Sequence, residues 1–328
     1  MTIQKEISEL IEDGLLGIEL PESPRSLYGP FRYSLGNGGK RIRPLLTLLS
    51  AGLNEGTFED ALPAALAIEV LHNFTLVHDD IMDQAEIRRG EPSVYKKWDE
   101  STAILVGDVM FGKSYELLDY YAQNDAYSKA EYVAIHRSFQ KAVTTVCEGQ
   151  AYDMEFMTSS SVTLNEYISM IEGKTAALLS SALEMGAISA HASSDRVQSL
   201  SKLGNEMGIA FQIQDDLLDA IADPEKFGKR PGGDIYEGKK TYLSICALQR
   251  ANEEQRLFIS DILDKRMVTE REVEEVLQLF HDLDVIKDTS EEVIKHYDRA
   301  LASLSLFPDS AYKHELEHLL IFLRQRDH

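Results

Sequence analysis

Apolar positions recur at helical spacing almost from the start of the chain. Ile3, Ile7, Leu10, Ile11 and Leu15 fall three or four residues apart, which predicts an amphipathic helix within residues 2–20. A break at Pro21-Glu22-Ser23-Pro24 follows. The glycine-rich turn in GNGGKRIRPLLTLLSAGL leads into a second helix. Pro44 suits an early helical position, where a missing N–H costs nothing. Residues 59–83 are apolar on most sides, which predicts a long central helix, and a basic loop containing RRGEP comes next. Helical patterns then cover residues 101–124, 128–157, 164–190 and 195–222, with a Gly- and Lys-rich loop over 223–238. Beyond it, helical pattern alternates with short polar breaks to His328. No run alternates cleanly with period two, so strands are not expected. The pattern predicts one all-α domain over residues 1–328, a bundle of many helices.

Two of the apolar helices end in the same way. Asp79-Asp80-Ile81-Met82-Asp83 closes one, and Asp215-Asp216-Leu217-Leu218-Asp219 closes the other. Residues four apart on a helix share a face and lie about 6 Å apart along the axis. Asp79 and Asp83 therefore point one way, as do Asp215 and Asp219. Two carboxylates about 4 Å apart repel by about 4 kcal/mol at an intermediate effective dielectric. Such spacing weakens an isolated helix. Hard cations with oxygen ligands relieve it, and Mg2+ completes its octahedron with substrate phosphates. A single acidic turn is more often solvated surface. Two copies, each after an apolar helix, point to metal.

Charge narrows the partners. The formal net charge of −22 argues against nucleic acid or an anionic membrane as a main partner. A phosphorylated substrate remains compatible where local bases and metal outweigh the global field. Cys147 and Cys246 have neither metal-ligand spacing nor a disulfide framework, and read as buried small hydrophobes in a reducing compartment. The N-terminus lacks the apolar core of a signal, and no apolar run reaches transmembrane length. These features predict a cytoplasmic protein.

Four stretches complement the acids. Gly38-Gly39-Lys40-Arg41-Ile42-Arg43-Pro44 combines backbone that approaches a ligand closely with positive charge at a helix start. Arg88-Arg89-Gly90 places two guanidiniums just after the first acidic turn. Lys174, in Glu172-Gly173-Lys174-Thr175, sits in an otherwise apolar helix and needs an anionic partner if buried. The run from Lys226 to Thr241 holds five basic residues against Asp234 and Glu237, and reads as a lid over phosphate. Each stretch alone has an ordinary structural explanation. His72 lies two turns before Asp79 on nearly the same side, and His78 has no assigned role.

With both aspartate clusters, GGKRIRP, RRG, KT, FQIQDDLLD and GDIYEGKKT in this order, the chain resembles the trans-isoprenyl diphosphate synthases of the polyprenyl synthetase family, over about residues 30–245. The resemblance implies an all-α homodimer with an active site inside a helical bundle around an apolar cavity. It implies head-to-tail joining of isopentenyl diphosphate to an allylic diphosphate, with Mg2+ as cofactor, three ions per site. By resemblance, Asp79, Asp83 and Asp215 bind Mg2+, with Asp80, Asp216 and Asp219 supporting. Arg88, Lys174, Lys229 and Lys239 hold the allylic diphosphate. Thr175 and Gln212 face the developing allylic cation. Lys40, Arg43, His72 and Arg89 bind isopentenyl diphosphate. Tyr95 departs from the family pattern, in which many members have His after RRGxPxV.

Product length is expected to depend on the helix below Asp79. Thr75 lies about 6 Å and Leu71 about 12 Å below on the same side, with Phe74 at the flank. In the family, an aromatic residue five positions before the first aspartate stops elongation at farnesyl or geranylgeranyl. Phe74 takes that position and Thr75 beside it is small, so geranylgeranyl diphosphate is the expected product and farnesyl diphosphate the alternative. A class I terpene cyclase, a non-catalytic synthase subunit and a generic cation-binding helical protein are the rival readings. DDLLD and GGKRIRP speak against the first, the intact acidic turns against the second, and the ordered basic stretches against the third.

Overall fold

The structure, a computed structural model, describes residues 3–159, 161–221, 231–265 and 267–325. In chain order the helices are α1 Ile3–Leu16, α2 Arg25–Gly36, α3 Ile42–Leu53, α4 Phe58–Met82, α5 Val94–Lys97, α6 Glu100–Leu118, α7 Tyr120–Gln123, α8 Lys129–Thr158 and α9 Leu164–Ile171. A π-helical turn, Glu172–Ala176, leads into α10 Ala177–Ser189 and α11 Ser194–Ile221. There follow α12 Gly233–Tyr236, α13 Tyr242–Arg250, α14 Glu253–Leu263, α15 Glu270–Asp282, α16 Val285–Ser303 and α17 Ala311–Arg324. By contacts the chain divides into two units. One comprises Met1–Val143, Ser181–Ser201 and Leu306–Leu316; the other comprises Thr144–Ser180, Lys202–Ser305 and Glu317–His328.

The first unit is organised around α4. Thr57 caps it by accepting the Asp60 N–H at 3.1 Å, with Glu59 and Asp60 favourably placed in its first turn. Ala64, Ala65, Ala67, Ile68 and Val70 are fully buried. α3 and α6 pack on it, and α1 adds Ile7, Ile11 and Leu15 against α3 and α4. Each large aliphatic side chain so buried contributes about 1.5–3 kcal/mol. His78 explains one close contact: its ring lies over Gly107 of α6, where an added Cβ would sit 2.1 Å from Nε2, and Nε2 donates to the Ile104 carbonyl at 3.2 Å.

The second unit has a core that includes Leu217, Ile235, Leu243, Ile259, Val276 and Phe280. The polar breaks in its sequence are helix caps. Thr163–Glu166, Asn252–Gln255 and Thr269–Glu272 form capping boxes that start α9, α14 and α15.

Three expectations change. The basic loop after α4 contains a minimal antiparallel ladder, Ile87–Arg88 paired with Glu91–Pro92. Arg89 and Gly90 between the strands both have positive φ, 55° and 82°, as a two-residue type I′ hairpin turn requires. Cys147 is exposed, whereas Cys246 is buried as expected. α4 is long and apolar enough to cross a membrane by length and composition, but 61% of its most apolar window is buried inside the protein. It carries Glu69, only 1% exposed, in the middle of that stretch.

Candidate active site

The first unit gathers four guanidiniums around one imidazole. Gly38 and Gly39 have φ of 70° and 135°, and the turn they make brings backbone against Arg89. Arg89 Nη1 donates to the Gly38 carbonyl, and a Cβ on Gly39 would lie 2.7 Å from the Arg89 guanidinium carbon. Arg43, in the first turn of α3, contacts His72 Nε2 through Nη1 at 3.1 Å. Behind them Arg41 is buried and donates to Glu69 at 2.7 Å, to Glu12 at 2.9 Å and to the Leu35 carbonyl at 2.6 Å. Glu69 also accepts from Asn73 at 3.2 Å.

The electrostatics of this nest are one-sided. Burial, then the charges of Arg43, Arg89, Arg41 and Arg88, drive the His72 pKa well below its ordinary value, so the imidazole is neutral. Burial and Arg89 pull Arg43 down to about 10 against the opposing charge of Glu69. Arg89 is lowered by burial and then by Arg41 and Arg88. The buried Arg43 Nε makes no hydrogen bond. This much positive charge in a chain of net charge −22 suits an anionic ligand. Lys40, expected here, is exposed at the turn.

Asp79, Asp80 and Asp83 occupy the C-terminal end of α4, where the helix dipole is unfavourable to carboxylates. Asp80 is 3% exposed and accepts from Arg88 Nε at 2.8 Å and Nη2 at 2.5 Å. Burial nevertheless raises its pKa, against the pull of Arg88. Asp79 is half-buried and Asp83 exposed. The middle acid of the turn is therefore an internal anchor for Arg88. Phe74, below it, packs its ring at 5.6 Å from Phe111, which continues to Tyr115 at 5.2 Å and on to Phe139 at 5.0 Å. The Thr75 hydroxyl folds back to the His72 carbonyl at 2.8 Å, and Leu71 is buried.

The second unit holds the second acidic turn in a cavity of about 130 Å³ whose lining includes Asp153, Lys174, Gln212, Asp215, Asp234 and Lys239. Lys174 and Thr175 sit on the π turn, an irregularity that recurs at functional sites. Gly149 of α8 makes that turn possible: a Cβ there would lie 2.2 Å from the Lys174 nitrogen. Lys174 Nζ donates to Asp153 at 2.5 Å, and Thr175 Oγ1 donates to Gln212 Oε1 at 2.9 Å. Asp216 is 7% exposed and accepts from Tyr167 at 2.5 Å, Gln212 at 3.2 Å and the Tyr242 N–H at 3.3 Å. Asp219 accepts the Asp234 N–H at 2.9 Å and so fixes the start of α12. Asp215 is the exposed member of the three.

The charge here has the opposite sign. Burial, then Asp216 and Asp219, raise the Asp234 pKa, with Lys239 opposing. Burial likewise raises Asp216, against its hydrogen bonds from Tyr167 and Gln212. Burial works against the Lys239 charge, but Asp234 and Glu237 outweigh it and its pKa rises. Lys239 Nζ lies 2.6 Å from Glu237 and 3.5 Å from Asp234. Lys240, also at the cavity, is buried with no hydrogen-bond partner for Nζ, 3.9 Å from Asp264. Lys229 lies outside the described residues.

Do these residues fit Mg2+? Among the described residues, no group of three or more His, Cys, Asp or Glu side chains is arranged to hold a metal alone. Mg2+ does not need such a group, since it binds through one or two carboxylates and takes substrate phosphate and water for the rest. An excess of buried carboxylate in a cavity with lysines fits a hard cation carrying a phosphorylated partner.

Sequence reasoning missed Asp153, Tyr167, Arg41 and Glu69, and took Asp234 only as counter-charge. Glu69 carried a usable signal, because a carboxylate inside an all-apolar helix must find a buried partner. Tyr167 lies two helical turns before Lys174 and carried no signal of its own.

The polyprenyl synthetase family model matches residues 24–280. The short chain isoprenyl diphosphate synthase of Methanocaldococcus jannaschii is 41% identical over 253 residues, 77% of this chain and 76% of its own. The geranylgeranyl diphosphate synthase of Saccharolobus solfataricus is 40% identical over 296 residues, 88% of this chain and 87% of its own. The crystal structure of geranylgeranyl pyrophosphate synthetase from Pyrococcus horikoshii matches with a TM-score of 0.92 at 36% identity, over 98% of this chain and 97% of that one. A family whose members are Mg2+-dependent thus accounts for most of the sequence and for the helical fold: this chain belongs to the polyprenyl synthetase family and is a trans-prenyltransferase of the isoprenyl diphosphate synthase type.

Proposed function

We propose that this chain joins isopentenyl diphosphate head to tail to an allylic diphosphate and releases geranylgeranyl diphosphate. The observation that carries the reading is the pairing of two opposite charge excesses: a guanidinium nest around His72, suited to a bare diphosphate, and a carboxylate cavity with lysines, suited to a metal-bound one. The similarity to geranylgeranyl synthases supports the product.

In this reading Arg43 and Arg89, with Lys40 and His72, hold isopentenyl diphosphate. Lys174, Lys239, Lys229 and Arg88 hold the allylic diphosphate. Asp79, Asp83 and Asp215 would hold Mg2+, three ions in this reading, which would supply positive charge to the departing diphosphate. Asp80, Asp216 and Asp219 support them from behind. As the allylic C–O bond breaks, the Thr175 hydroxyl and the Gln212 carbonyl oxygen face the developing cation, held to each other at 2.9 Å. The isopentenyl double bond attacks that cation, a new C–C bond forms, and the proton lost in re-forming a double bond passes to the released diphosphate. Preorganised charge aimed at the leaving group carries most of the acceleration. Apolar surroundings keep water from capturing the cation.

The enzyme acts as a homodimer in the cytoplasm. Incubating the pure chain with Mg2+, isopentenyl diphosphate and dimethylallyl, geranyl or farnesyl diphosphate tests the activity, with mass spectrometry of the dephosphorylated products reading chain length. A C20 alcohol is expected. Silence with every starter, or a cyclic hydrocarbon made without isopentenyl consumption, refutes the reading.

Phe74, with Thr75 and Leu71 on the same helix, sets where elongation stops. Phe74→Ala shifts the main product upward by one or more C5 units. An unchanged product spectrum removes Phe74 from that role.

A further inference from the structure

Asp216 is a buried carboxylate whose three donors are all neutral: a phenol, an amide and a backbone N–H. The shortest of the three comes from Tyr167, at 2.5 Å. We propose that Tyr167 is a positioning residue for metal binding, pinning Asp216 with an uncharged donor so that the second acidic turn is fixed in orientation without a positive charge being brought to it. This deepens the proposed function and rests on its assignment of Asp215 to Mg2+.

The geometry around Tyr167 is rigid. The Thr163–Glu166 capping box fixes the start of α9, with the Thr163 N–H donating to Glu166 at 2.8 Å. The Tyr167 ring is 2% exposed and meets Tyr242 edge-on at 6.1 Å. Its hydroxyl therefore reaches Asp216 from a fixed platform. The second carboxylate oxygen accepts from Gln212 Nε2, whose own carbonyl accepts from Thr175. That chain of donors has one polarity: the Thr175 hydroxyl gives to Gln212, and Gln212 and Tyr167 give to Asp216. It ties the azimuth of α11 at residues 215–219 to the π turn that carries Lys174.

An arginine or lysine in place of Tyr167 would hold Asp216 at least as firmly, as Arg88 holds Asp80. It would also cancel the field that attracts a divalent cation. Neutral donors orient a metal site without that loss, and outer partners of this kind influence affinity strongly.

The test is Tyr167→Phe in the full chain, which keeps the buried ring and removes the donor. Mn2+ binding in the presence of inorganic pyrophosphate, followed by calorimetry, reads affinity without turnover. The expected result is about tenfold weaker Mn2+ binding. Half-saturating Mg2+ in the assay should rise in parallel, while kcat at saturating Mg2+ falls much less. Tyr297→Phe is the control. It removes another buried phenol that donates to the same helix, to the amide of Gln214 at 3.0 Å rather than to Asp216. Thermal midpoints of both metal-free variants report general loosening. Wild-type Mn2+ affinity in Tyr167→Phe overturns the proposal, as does an equal loss of affinity in Tyr297→Phe. A wild-type chain that fails to bind Mn2+ with pyrophosphate overturns the metal assignment itself, and this role with it.

Discussion

The nest around His72 and the cavity around Asp216 are built on opposite principles. In the first, four guanidiniums crowd a neutral imidazole, with Glu69 and Asp80 buried beside them as counter-charges. In the second, buried carboxylates crowd one another, and Lys174 and Lys239 are already occupied by Asp153, Asp234 and Glu237. Each is left with like charge that burial makes more expensive. Relief comes from an anion in one and from a cation in the other. The same contrast appears in how the middle acid of each turn is held: Asp80 by Arg88, Asp216 by neutral donors. The lesson is that the two acidic motifs, nearly identical as sequence, are not equivalent as chemistry. The middle acid of the first is paired with a guanidinium, and that of the second is held by hydrogen bonds that bring no positive charge.

That contrast is sharpest in the kinetics of removing one group from each side. Asp215→Ala takes an oxygen ligand from the metal side and should lower kcat by about a thousandfold, since the lost charge stabilises a leaving group only as it departs. Steady-state rates at saturating Mg2+ and both substrates read it. Arg43→Gln takes a charge from the other side. It should raise KM for isopentenyl diphosphate by about 10- to 100-fold, the worth of a charge-assisted contact to phosphate, and leave kcat nearly intact. If both variants lose kcat and KM alike, the division of labour between nest and cavity is wrong.

Most of the fold was legible because helices write themselves as periodic pattern and caps. Ile7, Ile11 and Leu15 are the buried stripe of α1, as their spacing required. The hairpin at Ile87–Pro92 was not legible, since its two-residue strands leave no alternation and Arg89 is an unusual residue for positive φ. The π turn was invisible for a related reason: Glu172–Ala176 keeps helical composition, and the bulge shows only through the approach of Gly149 from α8. At the site, residues that touch ligand stood out as charge against an apolar background. The residues that hold them did not, because Tyr167 reads as an ordinary core aromatic and Arg41 as one more base in a basic run. The exception is Glu69, a lone buried acid whose partner, Arg41, was implied by its burial.

A smaller effect probes the comparison without any ligand, through the dependence of stability on pH. His72 is held well below its ordinary pKa, so the unfolded chain binds a proton there that the folded chain refuses. Its contribution is complete above about pH 6.5 and is lost as pH falls below that, by at most about 1.4 kcal/mol per pH unit. Asp216 and Asp234 run the other way: their folded pKa values are raised from 3.8, so the folded chain holds protons longer and stability is lost as pH rises through those values. Between pH 7 and 5 the two sites therefore oppose each other, and the wild-type melting temperature alone conceals both. His72→Gln separates them, because an amide keeps a partner for Arg43 and cannot titrate. Melting curves of the two metal-free proteins should diverge below about pH 6.5, with the variant losing less stability on acidification. Parallel curves would mean that the nest does not force His72 to stay neutral, and the opposition of charge between the two sites would lose its positive half.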